Sequence, residues 1–344
     1  MNAMQRVLTT LSHREPDRVP LFLLTSLQGA RELGLSIEEY FSRADYVVEG
    51  QLRLQRKYRS DCITCFFHAA IELEAWGGSV IYQPDCPPNA GPAIIHGPTD
   101  IDKLQPPGIE DSPGLMRVLE TIRQLKNRVG ASIPIIGMVI SPFSLPVMQM
   151  GFDHYIELIY EQPERWARLM ALNEEFCVAW ANAQLAAGAT AIGYADPVSS
   201  LTIIPRELYL KTGQPVARRT LARIDGPTAT HLASGRCLGI VDDIAATGTQ
   251  ALGVSALEDL AELKTAAQGK LALIGNLNGV EMRRWTTERA EAEVKRAIAK
   301  AGRGGGFILA DNHGEIPWQV PDEVLLAICH AAEQWGRYPL DWID

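Results

Sequence analysis

One segment of the sequence decides the fold class: Gly304-Gly305-Gly306-Phe307-Ile308-Leu309-Ala310-Asp311-Asn312-His313-Gly314-Glu315-Ile316-Pro317. Glycines lead into a short apolar run, which ends in a polar loop carrying His313 and Glu315. Such a run is typical of a strand that is buried on both faces in a parallel sheet. The loop then lies at the carboxyl end of the strand, where α/β barrels and open parallel sheets keep their functional residues. The alternative is an ordinary loop whose histidine caps a helix.

The order of strand and then helix recurs along the chain. Apolar runs predict strands at residues 19–24, 62–67, 133–140, 188–196, 228–233, 251–254, 271–276 and from 307 onward. Amphipathic segments predict one helix or two at residues 36–58, and further helices at 112–129, 152–162, 163–187, 205–224, 241–247 and 322–335. About eight such units predict an α/β fold of the (β/α)8 TIM-barrel type, a single domain over residues 1–344 with an N-terminal extension and loop insertions. A doubly wound open sheet is the alternative, although no G-x-G-x-x-G follows the first strand.

The composition is that of a globular protein and narrows the possible partners. The chain has 344 residues, 47% of them hydrophobic, and a net charge of -9, which argues against nucleic acid as a partner. No stretch approaches the ~20 apolar residues of a membrane span. The first ten residues lack the features of a signal peptide, and the six cysteines are expected to be reduced, so we expect a cytoplasmic protein. Cys62 and Cys65 are spaced like a redox pair or half a metal site, but buried core thiols are the favoured interpretation.

Polar residues collect where the predicted strands end. They are His68, Glu72, Ser141, Asp196, Ser199, His231, Asn276, His313 and Glu315. A lone histidine at a strand end is usually structural, but His231 and His313 come from different strands and are expected to converge on one cavity. Two imidazoles with a carboxylate suit zinc, and without a metal the same groups suit general acid–base catalysis. The aromatic residues Phe143 and Trp318 are expected near the same mouth, as core packing or as walls for a flat ligand.

Several motifs resemble those of the uroporphyrinogen decarboxylase superfamily. They cover most of the chain in the family's order: Arg14-Glu15-Pro16-Asp17-Arg18-Val19-Pro20, Ser141-Pro142-Phe143-Ser144-Leu145 with Met150-Gly151, Ala187-Gly188-Ala189 leading into Ala195-Asp196-Pro197, the His231 strand, Gly275-Asn276-Leu277, and Gly305-Gly306-Phe307-Ile308-Leu309. The resemblance implies a TIM-type barrel, in agreement with the count of strand and helix units.

Within this superfamily, the decarboxylase activity itself is not the best match. Its arginine-bearing N-terminal element would fall on residues 25–30, where no arginine stands before Arg31, and its catalytic aspartate would fall on His68. A substrate with many carboxylates needs guanidinium partners. Residues 71–77 and Ala195-Asp196-Pro197 instead resemble the cobamide-dependent, methylcobamide:coenzyme M type methyltransferase branch.

That branch implies an enzyme that moves a methyl group between a corrinoid and a small donor or acceptor. The corrinoid would come from a partner protein, because the chain has no corrinoid-binding Asp-x-His-x-x-Gly motif. The branch binds zinc through His-x-Cys and a later cysteine, and here Ala233 and His313 stand at the cysteine positions. The resemblance therefore implies zinc or another metal on His231, His313 and Glu315, a site better suited to an oxygen substrate than to a thiol.

The remaining roles are expectations of the same kind. Asp196 would orient the substrate, and His68 or Glu72 would handle the proton. Substrate contacts are expected from Phe143, Ser199, Asn276 and Trp318, and a homodimer is an open possibility. Two alternatives stay open. The first is a metal-free decarboxylase or related lyase for a smaller carboxylate, with His68 as proton donor and an arginine such as Arg206 at the mouth. The second is a barrel that has lost catalysis.

Overall fold

Eight parallel strands form a nearly closed barrel, so the predicted (β/α)8 fold is confirmed. A computed structural model describes residues 1–65 and 67–343; Phe66, in the predicted strand 62–67, and Asp344, in the predicted domain, lie outside the described residues. The barrel strands run in the order β1-β10-β9-β8-β7-β6-β5-β2, and β3 and β4 form a separate antiparallel hairpin. Their bounds are Leu21–Phe22 (β1), Ile63–Thr64 (β2), Val80–Ile81 (β3), Asn89–Ala90 (β4), Ile135–Ile140 (β5), Ala191–Ala195 (β6), Thr228–His231 (β7), Ala251–Gly253 (β8), Ala272–Leu277 (β9) and Phe307–Asp311 (β10).

Helices follow the strands and cover the barrel. They are Ala3–Leu11 (α1), Gln28–Leu33 (α2), Ile37–Ser42 (α3), Ala44–Tyr58 (α4), Ala70–Ala75 (α5), Pro113–Val129 (α6), Pro146–Met150 (α7), Phe152–Glu161 (α8), Pro163–Ala187 (α9), Arg206–Lys211 (α10), Gly213–Leu221 (α11), Val241–Ala245 (α12), Leu260–Ala267 (α13), Thr287–Ala301 (α14) and Asp322–Trp335 (α15). Short 3-10 turns span Pro98–Lys103, Pro197–Ser199, Leu238–Ile240 and Glu281–Arg284. Residues 36–58 form two helices, one of the two predicted alternatives, and the predicted helix at 205–224 is divided in two.

The barrel closes between β1 and β2 through a side chain. Asp61 donates its backbone N–H to the carbonyl of Leu21 at 2.7 Å, and its Oδ2 accepts the Leu21 N–H at 2.8 Å. The same carboxylate accepts hydrogen bonds from Arg6 at 2.6 Å and Arg18 at 2.7 Å. Asp61 is only 2% exposed, so this ion-paired carboxylate replaces the strand pairing that two very short strands cannot supply.

Two strand ends depart from the sequence prediction. β7 stops at His231 rather than at residue 233, because Ala233 (φ 45°) and Ser234 (φ 70°) adopt the left-handed backbone conformation that non-glycine residues rarely adopt. Among the described residues of the predicted strand 62–67, those in the ladder with β5 are Ile63 and Thr64. Cys62 and Cys65 are buried free thiols, as predicted.

Candidate functional site

The candidate site lies at the carboxyl ends of β7, β9 and β10. His231 is the last residue of β7, and Asn276 stands near the end of β9. Both side chains are partly exposed, whereas the neighbouring Thr230 and Gly275 are buried. Because successive side chains of a strand point to opposite faces, His231 and Asn276 point into the barrel, and their position at the carboxyl ends of the strands brings them to its mouth.

The structure holds His231 as a neutral hydrogen-bond donor. Its Nδ1 accepts the backbone N–H of Ala233 at 3.0 Å, which leaves the proton of the neutral ring on Nε2. Burial, and the nearby His313, lower the pKa of His231 to about 4, so the ring is uncharged near pH 7. Glycines border the ring: a Cβ added at Gly253 would lie 2.3 Å from His231 Cδ2, and one at Gly314 would lie 3.1 Å from Cε1.

The loops after β7 and β10 are joined by His313. Its Nδ1 lies 2.7 Å from Ser234 Oγ, and the side chain of His313 is exposed. The buried Asp311 shapes this loop, because its Oδ2 accepts the backbone N–H groups of His313 and Gly314, each at 3.1 Å. The loops that carry the two histidines therefore lie next to each other at the mouth.

Glu315 is an ionisable group of the mouth that can exchange its proton near neutral pH. Its carboxylate accepts a hydrogen bond from Ser26, which follows β1. Burial raises the pKa of Glu315 to about 7, Ser26 opposes that rise, and Asp311 adds to it. Near pH 7 both protonation states are populated, which suits a general acid or base.

Asn276 and Trp318 complete the rim. The Nδ2 of Asn276 donates to the carbonyl of Ser255 at 2.9 Å, and its side chain remains partly exposed. Trp318 is partly buried beneath Arg31, whose guanidinium lies 5.6 Å from the ring centre and also pairs with Asp322 at 2.8 Å. Both side chains remain available to a substrate.

Three predicted site residues are packed inside the protein instead. Phe143 is fully buried and packs edge-on against Tyr155, so it belongs to the core rather than to a substrate wall. Asp196 is 2% exposed, and its Oδ1 accepts the hydroxyls of Ser141 at 2.6 Å and Ser144 at 2.7 Å. Ser199 is buried beside Asp196. The Asp196 carboxylate therefore ties together the loops after β5 and β6.

Glu72 is built into the barrel wall. The Ser141 N–H donates to Ala195 of β6, so the Ile140 N–H points the other way, toward β2. Since β2 pairs with β5 only as far as Ile136, that N–H donates to Glu72 Oε1 instead, at 2.9 Å. Burial raises the pKa of Glu72 to about 8, against the opposing effects of this amide and of the Trp180 indole. Glu72 thus has a structural contact where the sequence predicted a proton carrier.

His68 lies under the hairpin rather than free at the mouth. It is 2% exposed, between the rings of Phe41 and Tyr82, with centroid distances of 5.5 and 5.9 Å. Burial, and to a lesser extent Arg117, lower its pKa to about 3. A neutral imidazole in this position is a poor proton donor near pH 7, which weakens the predicted role of His68.

The site does not offer a ligand set for the predicted zinc. Among residues 1–65 and 67–343, no three His, Cys, Asp or Glu side chains are placed so that they could share a metal ion. The Nε2 of His231 carries a proton as long as Nδ1 accepts from Ala233, whereas a metal ligand must offer a free lone pair. His231, His313 and Glu315 therefore do not fit the metal in this arrangement.

Ser26, Ser234 and Asp311 take part in the site but were not singled out from the sequence. Asp311 closes an apolar run and could have been recognised by the same strand-end rule that selected His313. Ser26 and Ser234 stand in loops, and only the fold brings them against Glu315 and His313.

The strands, loops and mouth described above define a TIM barrel with a site at the carboxyl face of its sheet. A family model described as uroporphyrinogen decarboxylase matches residues 2–335. The chain belongs to this family.

Relatives within the family carry two different names. The chain is 24% identical to the methylcobamide:CoM methyltransferase MtaA of Methanosarcina barkeri, over 96% of this chain and 97% of that protein. It is 25% identical to a uroporphyrinogen decarboxylase of Alkalilimnicola ehrlichii, over 96% of this chain and 93% of that protein. The relatives support an enzyme, and they leave methyl transfer and decarboxylation as its two candidate reactions.

Solved structures agree on the architecture. A methyltransferase from Methanosarcina mazei superposes with a TM-score of 0.88 at 19% identity, covering 97% of this chain and 99% of the other. A B12-independent methionine synthase from Shewanella sp. W3-18-1 superposes with a TM-score of 0.62 at 14% identity, covering 92% and 98%. At these identities the likeness establishes the fold. In residues 1–65 and 67–343, none of the helices has the length and hydropathy to span a membrane.

Proposed function

We propose that this protein is a methyltransferase that moves a methyl group between a corrinoid, carried by a partner protein, and a small substrate. The observation that carries the proposal is the pair of groups at the mouth, a neutral His231 and a Glu315 whose pKa is about 7. The full-length similarity to a methylcobamide methyltransferase supports the same reaction.

The two groups suit the proton balance of methyl transfer at oxygen. The corrinoid supplies or accepts the methyl group. When an oxygen loses its methyl group it must gain a proton, which the protonated Glu315 can give; in the opposite direction the carboxylate can take the proton of the acceptor. The Nε2–H of His231 can donate a hydrogen bond to that oxygen and stabilise its developing negative charge.

The surroundings of the mouth favour a small substrate with few charges. Arg31 pairs with Asp322 and bonds to the Trp318 carbonyl, and Arg206 is exposed and pairs with Asp243 at 2.7 Å. Neither guanidinium is free for a polycarboxylate. We therefore propose an alcohol, a phenol or a methoxy compound as substrate, bordered by Asn276 and Trp318.

The proposed reaction is argued without zinc, and whether the protein binds zinc is left to a measurement. Metal analysis of the purified protein tests it, together with the His231→Ala and His313→Ala variants. If the protein as purified binds zinc and both variants keep all of it, these two residues are not its ligands.

Free methylcobalamin can stand in for the corrinoid of the partner in a direct test. We expect its absorption spectrum to change when the protein and a suitable phenol or alcohol are added, and His231→Ala to slow this change. His330→Ala is the matched control, because His330 is exposed on α15, in the helical layer outside the barrel. If methylcobalamin stays unchanged with every acceptor, and reduced cobalamin is not methylated by any methoxy compound, the methyl-transfer proposal fails.

The alternative is a decarboxylase that acts on a smaller carboxylate without metal. The family description and the decarboxylase relatives favour it, but the low pKa of His68 does not suit the proton donor that this reaction would need. Release of carbon dioxide from a small carboxylate, with no change in methylcobalamin, would establish this alternative.

A further inference from the structure

We infer that the barrel interior contains a binding site for a compact apolar ligand, such as a single ring or a short branched alkyl group. A cavity of about 110 Å³ extends from helix α1, at the base of the barrel, to His231. Its wall is almost entirely carbon. This site lies below the mouth and reaches it only at His231, and ligand binding in it does not depend on the proposed methyl transfer.

Small side chains on three adjacent strands create the cavity. TIM barrels normally fill their interior with layers of bulky branched residues. Here the inward positions of β6, β7 and β8 carry the small residues Ala191, Ala229 and Ala251, while Gly193 and Gly253 make room for Met138 and for the ring of His231. The strand register places these residues side by side, because Gly193 pairs with Ala229 and Ala229 with Ala251. The alanines on this side therefore leave part of the barrel interior without a bulky side chain.

Larger side chains and helix α1 form the opposite wall and the base of the cavity. Bulky residues such as Phe22, Ile274 and Ile308 face the cavity from β1, β9 and β10. Helix α1 closes the base, and its Arg6 is fixed by hydrogen bonds to Asp17 and Asp61. Because protein interiors are close-packed and contain few voids larger than a water molecule, a space held open by both walls is a built feature.

The size and the chemistry of the cavity select the ligand. Its volume equals that of roughly three to four water molecules, but an apolar wall offers water few hydrogen-bonding partners. An apolar cavity of about 150 Å³ is known to stay dry and to bind benzene or xenon. A cavity of about 110 Å³ suits xenon or a short alkyl group, and a ring if a flexible neighbour such as Met138 adjusts.

Binding of benzene and xenon to the full-length protein tests the inference. We expect a saturable rise in melting temperature with benzene, since a ligand that binds only the folded state stabilises it, and a shifted bound signal in xenon NMR. Ala229→Leu should abolish both effects by filling the cavity. Ala191→Val, which adds only two methyl groups, should weaken both effects and serves as a second variant if Ala229→Leu does not fold.

The control is Ala299→Leu, which adds the same atoms at an exposed position of α14 and should bind like the wild type. Absence of saturable binding by the wild type would overturn the inference, and so would unchanged binding by folded Ala229→Leu. A second arm adds benzene to the methylcobalamin assay. Inhibition would support occupation by the apolar part of the substrate, and binding without inhibition would support an independent ligand in the same site.

Discussion

Replacement of Glu72 by glutamine should remove a large pH-dependent loss of stability. Glu72 is 2% exposed, and burial raises its pKa from 4.5 to about 8. Between these pH values the unfolded chain has released the proton and the folded protein retains it. Stability therefore falls as the pH rises through this window, and the loss is complete above pH 8. At about 1.4 kcal/mol for each pKa unit, the whole loss amounts to about 5 kcal/mol.

The measurement is a series of urea unfolding curves from pH 4 to pH 9 for wild type and Glu72→Gln. The variant is needed because His68 and His231, whose pKa values are lowered to about 3 and about 4, make stability rise with pH up to about 6.5. These contributions cancel in the difference between the two proteins. Glutamine can still accept the Ile140 N–H, but it cannot ionise.

Glu74→Gln is the matched control, because it removes an exposed carboxylate from the same helix. We expect the stability of the wild type relative to Glu72→Gln to fall by about 5 kcal/mol across the window, and far less for the control. A difference that does not vary with pH would refute the assignment of Glu72 to a buried, structural position in the wall.

Three further predictions concern the Asp61 contact between β1 and β2 and the mouth of the barrel. Asp61→Ala should lower the free energy of unfolding by about 3–5 kcal/mol in urea denaturation, because it removes the carboxylate that Arg6 and Arg18 share in a buried site and leaves Arg6 only Asp17; an effect below 1 kcal/mol would contradict the proposed closure of the barrel. Glu315→Gln should lower the methyl-transfer rate by roughly 100-fold or more and remove the pH dependence centred near 7, and an unchanged pH–rate profile would argue against its acid–base role. Gly253→Ala should displace the ring of His231, since the added methyl would lie 2.3 Å from Cδ2; we expect a lower rate with folding retained, measured by the methylcobalamin assay and by circular dichroism, and full activity would show that the ring position is not required.

The fold could be predicted because the hydrophobic pattern of most segments agrees with the strand or helix that the segment forms. Apolar runs such as residues 133–140 lie on the buried strand β5, and the amphipathic segment 112–129 lies on α6. The left-handed conformation of Ala233, in contrast, ended β7 earlier than an apolar pattern could indicate. The division of residues 205–224 into α10 and α11 is another local bend that periodicity alone does not register.

The sequence could predict which residues of the candidate site lie near strand ends, but not which of them point to the mouth. His231, Asn276, His313 and Glu315 reach the mouth, because a strand terminus and the direction of alternation can be read from sequence. Asp196 stands just as near a strand end, yet it points away from the mouth toward Ser141 and Ser144. One residue of register separates the two outcomes, and predictions of strand ends are not accurate to one residue.

The sequence by itself determined the architecture, since eight apolar runs separated by helical segments can bury their surfaces in few ways other than a barrel. It also determined which histidines and carboxylates follow the strands. Only the tertiary structure decided the chemical state of these groups, because a pKa or a tautomer depends on burial and on partners distant in sequence, such as Ser26 for Glu315. The apolar cavity likewise arises from the register of β6, β7 and β8, which places their small residues side by side.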